Sequence, residues 1–129
     1  MFKPTYSVAA FALISISATV SQANAFSGNF RWCSKMPQST TSPAFTLSGV
    51  PKGTTALSLI MRDQQSSYNH GGGKVVYRGG SVPCGAIAYG WVGPFPPNGE
   101  VHTYEFTIEA QDSSGKALGT AQATRKFPE

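Results

Sequence analysis

The sequence predicts an all-β protein with little helix. Short apolar runs alternate with clusters of Gly, Pro, Asn and Ser along residues 26–129, and no window sustains a period of 3.6. The two best runs, "ALSLIMRD" at 56–63 and "HTYEFTIEAQ" at 102–111, alternate instead with a period of two.

The opening stretch, "MFKPTYSVAAFALISISATVSQANA", stands apart from this pattern. It combines Lys3, an apolar run from Val8 to Val20 and Ala23-Asn24-Ala25, the make-up of a secretory signal peptide with an A-x-A cleavage site. A retained membrane anchor is the rival reading, but the run falls short of the roughly 20 residues that span a bilayer and contains Ser15, Ser17 and Thr19. The expectation is a signal peptide over 1–25, one domain over 26–129, and a secreted or periplasmic protein with no transmembrane segment after cleavage.

Within the domain, "NFRWC" at 29–33 is the first expected strand, and "AFTLS" at 44–48 follows Pro43 and stops at Gly49. The strand at 56–63 comes next, then the shorter candidates "KVVY" at 74–77 and "GAIAYGW" at 85–91. The 102–111 strand is followed by "GTAQATRKF" at 119–127, with Asp112 and Gly115 as turn residues between them. Export permits a disulfide, and Cys33 with Cys84 are the only pair, so a bridge is expected ahead of two free buried thiols or a metal site; neither cysteine lies in a C-x-x-C motif. With Lys3 removed, nine basic residues stand against six acidic ones, and cations such as Lys35, Lys52, Lys74 and Arg78 are scattered, which argues against nucleic acid as a partner.

Period two decides which side chains meet. His102, Tyr104, Phe106, Ile108 and Ala110 share the inward face of their strand, while Glu105 and Glu109 face outward; Leu57, Leu59, Met61 and Asp63 share the inward face of theirs. Asp63 thus ends one core face and His102 begins another, and antiparallel neighbours would place them at the same edge. A buried carboxylate needs a partner, so Asp63 is expected either to orient a ring nitrogen of His70 or His102, leaving the other nitrogen toward a cavity, or merely to cap a turn in "DQQSSYNHGGG". His70 reads as a loop histidine, idle or beside a glycine nest made by Gly71-Gly72-Gly73. "GPFPPNG" at 93–99 is a rigid connector or one wall of an anion pocket, and Tyr89, Trp91 and Phe95 are its roof or ordinary core.

Catalytic templates fail: there is no G-x-S-x-G, no H-E-x-x-H and no Walker loop, and two histidines with one aspartate lack diagnostic metal spacing. No cofactor or metal is expected.

Three segments resemble the phosphatidylethanolamine-binding protein family, which includes the Raf kinase inhibitor proteins. They are "SPAFTLSGVPKGTTALSLIMRD" at 42–63, "NHGGG" at 69–73, and "GPFPPNGEVHTYEFTIEAQD" at 93–112, in the family's order. The chain departs from the family where "DQQSS" replaces Asp-Pro-Asp-x-Pro, putting Gln65 in place of the second aspartate, and where Gly71 replaces the tryptophan after the histidine. The resemblance implies an antiparallel β-sandwich-like fold and a non-enzymatic binding protein with a small cavity for phosphate-type anions or phospholipid headgroups. Asp63, His70, Gly93, Pro96, His102 and Tyr104 are the implied ligand-binding residues. The alternative is an interaction protein that inhibits a protease or kinase through surface loops. An enzyme with His102 as base ranks last, because Asp63 is its only aligned acid partner.

Overall fold

The computed structural model describes residues 2–5, 7, 9–16 and 25–129. Residues 17–24, which carry the end of the apolar run and the expected cleavage motif up to Asn24, lie outside the described residues. Among the described residues, six antiparallel strands form two sheets. β1 (Ser27–Arg31) pairs with β2 (Ala44–Ser48), and β3 (Ala56–Asp63), β4 (Asn69–Val76), β5 (His102–Gln111) and β6 (Ala117–Phe127) form a second sheet in the order β4-β3-β5-β6. No helix among the described residues is long and apolar enough to cross a membrane.

The core lies between the sheets. Phe30 of β1 and Phe45 of β2 are register partners, and both set their rings edge-on to Phe106 of β5, at centroid distances of 5.0 and 4.9 Å. Leu57, Leu59, Met61, Phe106 and Ile108 are fully buried, as the period-two reading requires. Burying each such side chain contributes about 2 kcal/mol. Cys33 and Cys84 are joined by a disulfide that ties the segment after β1 to the loop after β4.

Two expectations fail. "GAIAYGW" at 85–91 is not a strand: Gly85 and Gly90 adopt positive φ, and the Gly85 and Ile87 amides bond to Ser42. Its one ladder-type contact with the sheet is a single bridge from Trp91 to Gly71, beside a lone hydrogen bond from Gly72 N–H to the Gly90 carbonyl. Conversely, "NHGGG" is not a loop but the first half of β4, so the strand seen at 74–77 in the sequence begins at Asn69. Its glycines serve close approach: a side-chain carbon on Gly71 would run into the Gly90 carbonyl, and one on Gly72 into that of Leu59. The first strand also starts two residues earlier than its apolar residues indicate, leaving Trp32 and Cys33 beyond its end.

Candidate functional site

Antiparallel pairing brings the end of β3, the start of β4 and the start of β5 to one edge of the four-stranded sheet. Asp63 is the register partner of Tyr104, and Arg62 that of Asn69, one residue before His70. The loop after Trp91 closes over this edge, and a cavity of about 530 Å³ opens there, lined by Asp63, His70, Gly93 and His102 together with Gln38, Ser66, Tyr68, Val92, Phe95 and Pro97.

Asp63 does both things its sequence context allowed. Oδ1 accepts the Gln65 and Ser66 amides at 2.8 and 3.2 Å, capping the turn after β3, while Oδ2 meets His102 Nδ1 at 2.6 Å. Burial alone would favour the protonated carboxyl, yet the hydrogen bonds from His102 and the two amides outweigh it and hold its pKa below the usual carboxylate value. His102 does not turn its second nitrogen to the cavity. Nε2 lies 2.9 Å from Glu100 Oε2, so the ring is clamped between two carboxylates, and Asp63 first, then Glu100, raise its pKa.

His70 behaves oppositely. It is buried, its Nδ1–H donates to the Val92 carbonyl at 3.0 Å, and burial lowers its pKa despite that bond. At neutral pH the ring is uncharged, and Nε2 is its one unspent nitrogen. The glycine nest imagined beside it does not exist: Gly71 N–H donates to Asn69 Oδ1 and Gly72 N–H to the Gly90 carbonyl.

Tyr104 packs between the imidazoles, 5.3 Å from the His70 ring and 6.4 Å from that of His102, one layer behind the cavity wall. Its hydroxyl is wholly buried and has no hydrogen-bond partner, although the Phe95 backbone and Asp63 are close enough to influence it. Burial pushes its pKa well up, with the charge of Asp63 acting in the same direction, so the O–H stays protonated.

The proline loop is one wall, but through Gly93, Phe95 and Pro97; Pro96 does not line the cavity. Gly93 is required by close packing, since a side chain there would press on the Ser39 backbone, to which its N–H donates at 2.8 Å. Trp91 is core and Tyr89 stands exposed, so neither roofs the cavity. Gln38, Ser66, Tyr68 and Glu100 escaped the sequence reading. Glu100 had no periodic signal, because it lies in the turn before β5, where alternation does not set a side chain's direction. Gln38 had none either, because its approach depends on its amide bonding to the Pro94 carbonyl across the fold.

Comparison with solved structures decides the architecture. The chain matches a Chlamydia trachomatis protein assigned as a phosphatidylethanolamine-binding protein homologue, at 18% identity and a TM-score of 0.56, covering 82% of this chain and 99% of that one. It also matches Escherichia coli YbcL, described as a new member of the mammalian family, at 20% identity and a TM-score of 0.57, covering 81% and 98%. The fold is that of the phosphatidylethanolamine-binding proteins. No protein-family model matches the sequence, nor does any curated protein. Among the described residues, no group of three or more His, Cys, Asp or Glu is arranged to hold a metal ion.

Proposed function

We propose that this chain is an exported, non-enzymatic binding protein whose cavity takes a small phosphate-type anion, free or as a phospholipid headgroup. One observation carries the reading: His70, buried against the cavity, keeps Nε2 uncommitted, and the Ser66 and Tyr68 side chains line the same hollow. A hollow with a few convergent polar groups beside the apolar Val92, Phe95 and Pro97 is the kind that takes a small ligand.

The rest of the chemistry narrows the anion. Asp63 has spent both oxygens, and Asp63, His102 and Glu100 together leave one net negative charge at the rim. A dianion is therefore disfavoured. Neutral His70 offers a lone pair on Nε2 beside O–H donors, which suits a free phosphate or phosphomonoester monoanion carrying both acceptor oxygens and a P–OH; a phosphodiester headgroup would bind through its acceptor oxygens alone. A simple carboxylate such as acetate offers no such proton. Export rests on the leader-like N-terminus, whose Phe11, Leu13, Ile14 and Ile16 stand exposed and outside the core.

Calorimetric titration with phosphate, phosphorylethanolamine and acetate tests this against His70→Ala and His102→Ala. The two phosphates are expected to bind more tightly than acetate, and both variants to weaken them. Equal heats from variants and parent would remove the site.

The second reading, a protein that blocks an enzyme through its loops, is favoured by Phe95 and Tyr89, which are 61% and 89% exposed. It requires inhibition that survives His102→Ala.

A further inference from the structure

The far end of β4 from His70 holds a second feature, independent of the anion cavity. In an antiparallel strand, alternate residues turn both N–H and C=O to the same side. Tyr77 N–H donates to Thr55 on the β3 side, whereas Gly72 N–H donates to Gly90 on the opposite side, where the His70 carbonyl also accepts from Val92. Gly72, Lys74 and Val76 therefore turn their main-chain groups away from β3. The 90–92 segment covers this edge at His70 and Gly72 and goes no further. Among the described residues, the amides and carbonyls of Lys74 and Val76 have no partner.

This open edge faces a ready-made wall. A cleft of about 500 Å³ runs between Lys74–Gly79 and the segment from Ser81 to Ala86. The wall is fixed: Val82 exchanges both main-chain hydrogen bonds with Phe45, Gly85 N–H donates to Ser42, and Cys84 is in the disulfide. Val76, 70% exposed, and Tyr77 give the cleft an apolar side. Its charge is of one sign. Lys74 and Arg78 line it, neither forms an ion pair among the described residues, and no acidic residue lines it. Along the row of paired residues, Glu109 lies beyond Ser58 from Lys74, two strand spacings or about 10 Å away.

We propose that the Lys74–Val76 edge is a docking site for an extended acidic peptide of a partner protein, which adds as a strand between β4 and the 81–86 wall. Main-chain pairing supplies the binding and the two cations supply the selection. The same cations disfavour a second copy of this edge, which would set like charges face to face.

The test is amide NMR of the protein with acetylated, amidated Glu-Val-Glu-Val-Glu, with Lys-Val-Lys-Val-Lys, and with the acidic peptide N-methylated at both valines. The acidic peptide is expected to shift the Lys74 and Val76 amides and slow their exchange. The basic peptide is expected not to bind, and N-methylation to weaken binding about tenfold or more by removing main-chain donors. Val76→Pro deletes one outward N–H without touching the β3–β4 ladder and is expected to lose about as much. Should it fail to fold, Lys74→Glu with Arg78→Glu tests the charge requirement and is expected to abolish acidic-peptide binding. Equal binding of acidic and basic peptides, indifference to N-methylation, or shifts mapping elsewhere would overturn the proposal. So would concentration-dependent shifts of the same amides without peptide, which would assign the edge to self-association.

Discussion

His102 and His70 sit within one cavity yet titrate in opposite directions, because one is clamped by carboxylates and the other is desolvated. His102, raised above its ordinary 6.5, contributes stability that is fully present below pH 6.5 and is lost as pH rises through its folded value. His70, depressed below 6.5, has the reverse effect: stability falls as pH drops from 6.5 through its folded value, since the unfolded ring binds the proton more readily. Chemical denaturation across a pH series should therefore show His102→Gln flattening the alkaline side of 6.5 and His70→Gln flattening the acidic side. Both variants flattening the same side would contradict the assignment. Asp63, held below 3.8, contributes stability above that value and loses it as pH falls through its folded pKa. Asp63→Asn should remove that acid-limb loss and return the His102 titration toward 6.5. The inward aspartate and histidine were legible from period two alone. The second carboxylate on His102 was missed because Glu100 belongs to a turn, where alternation says nothing about direction.

At the scale of the element, β4 is where sequence and structure part furthest. Three glycines suggest a loop by composition, but strand pairing with β3 and the close pass of Gly90 exclude side chains there, so tertiary contact overrides propensity. Gly71, at φ 79°, needs both the conformation and the space. Gly71→Ala is expected to cost more than about 2 kcal/mol in denaturant melts, from left-handed strain plus overpacking. A loss within about 0.5 kcal/mol, the surface range, would show that the strand tolerates a side chain at this position. In contrast, β3 and β5 were read to the residue, because each carries a run of alternate inward apolar residues, Leu57, Leu59 and Met61 in one and Phe106, Ile108 and Ala110 in the other. The 85–91 stretch was misread as a strand because its apolar Ile87 and Trp91 are buried by a loop, not by a ladder.

For the whole molecule, two sheets sandwich a core whose centre is Phe106, and the disulfide staples the loop after β4 to the end of β1. Cys33→Ser with Cys84→Ser is expected to lower stability by about 4 kcal/mol in the chain-entropy account for a separation of 51 residues. A destabilisation under about 1 kcal/mol would mean that the sheets alone constrain that loop. Phe106→Ala should cost about 3–5 kcal/mol through the cavity it leaves. The all-β class followed from alternation and turn residues, and the sandwich from the family resemblance. The meeting of Asp63 with His102 and Tyr104 followed from alternation plus one assumption, that β3 and β5 pair antiparallel, and they do, whereas His70, read as a loop residue, joined the site only through the resemblance. Tyr68 and Gln38, brought in by loops, had no periodic signal to reveal them.

Two imidazoles shifted in opposite directions line the hollow proposed here to take a phosphate monoanion. Long-range nitrogen–proton NMR of both rings through a pH titration, with and without phosphate, tests it most directly. The prediction is His102 protonated on both nitrogens at neutral pH, His70 neutral with its proton on Nδ1, and a His70 pKa that rises when phosphate is added. Two rings titrating alike near 6.5, with phosphate moving neither, would contradict it.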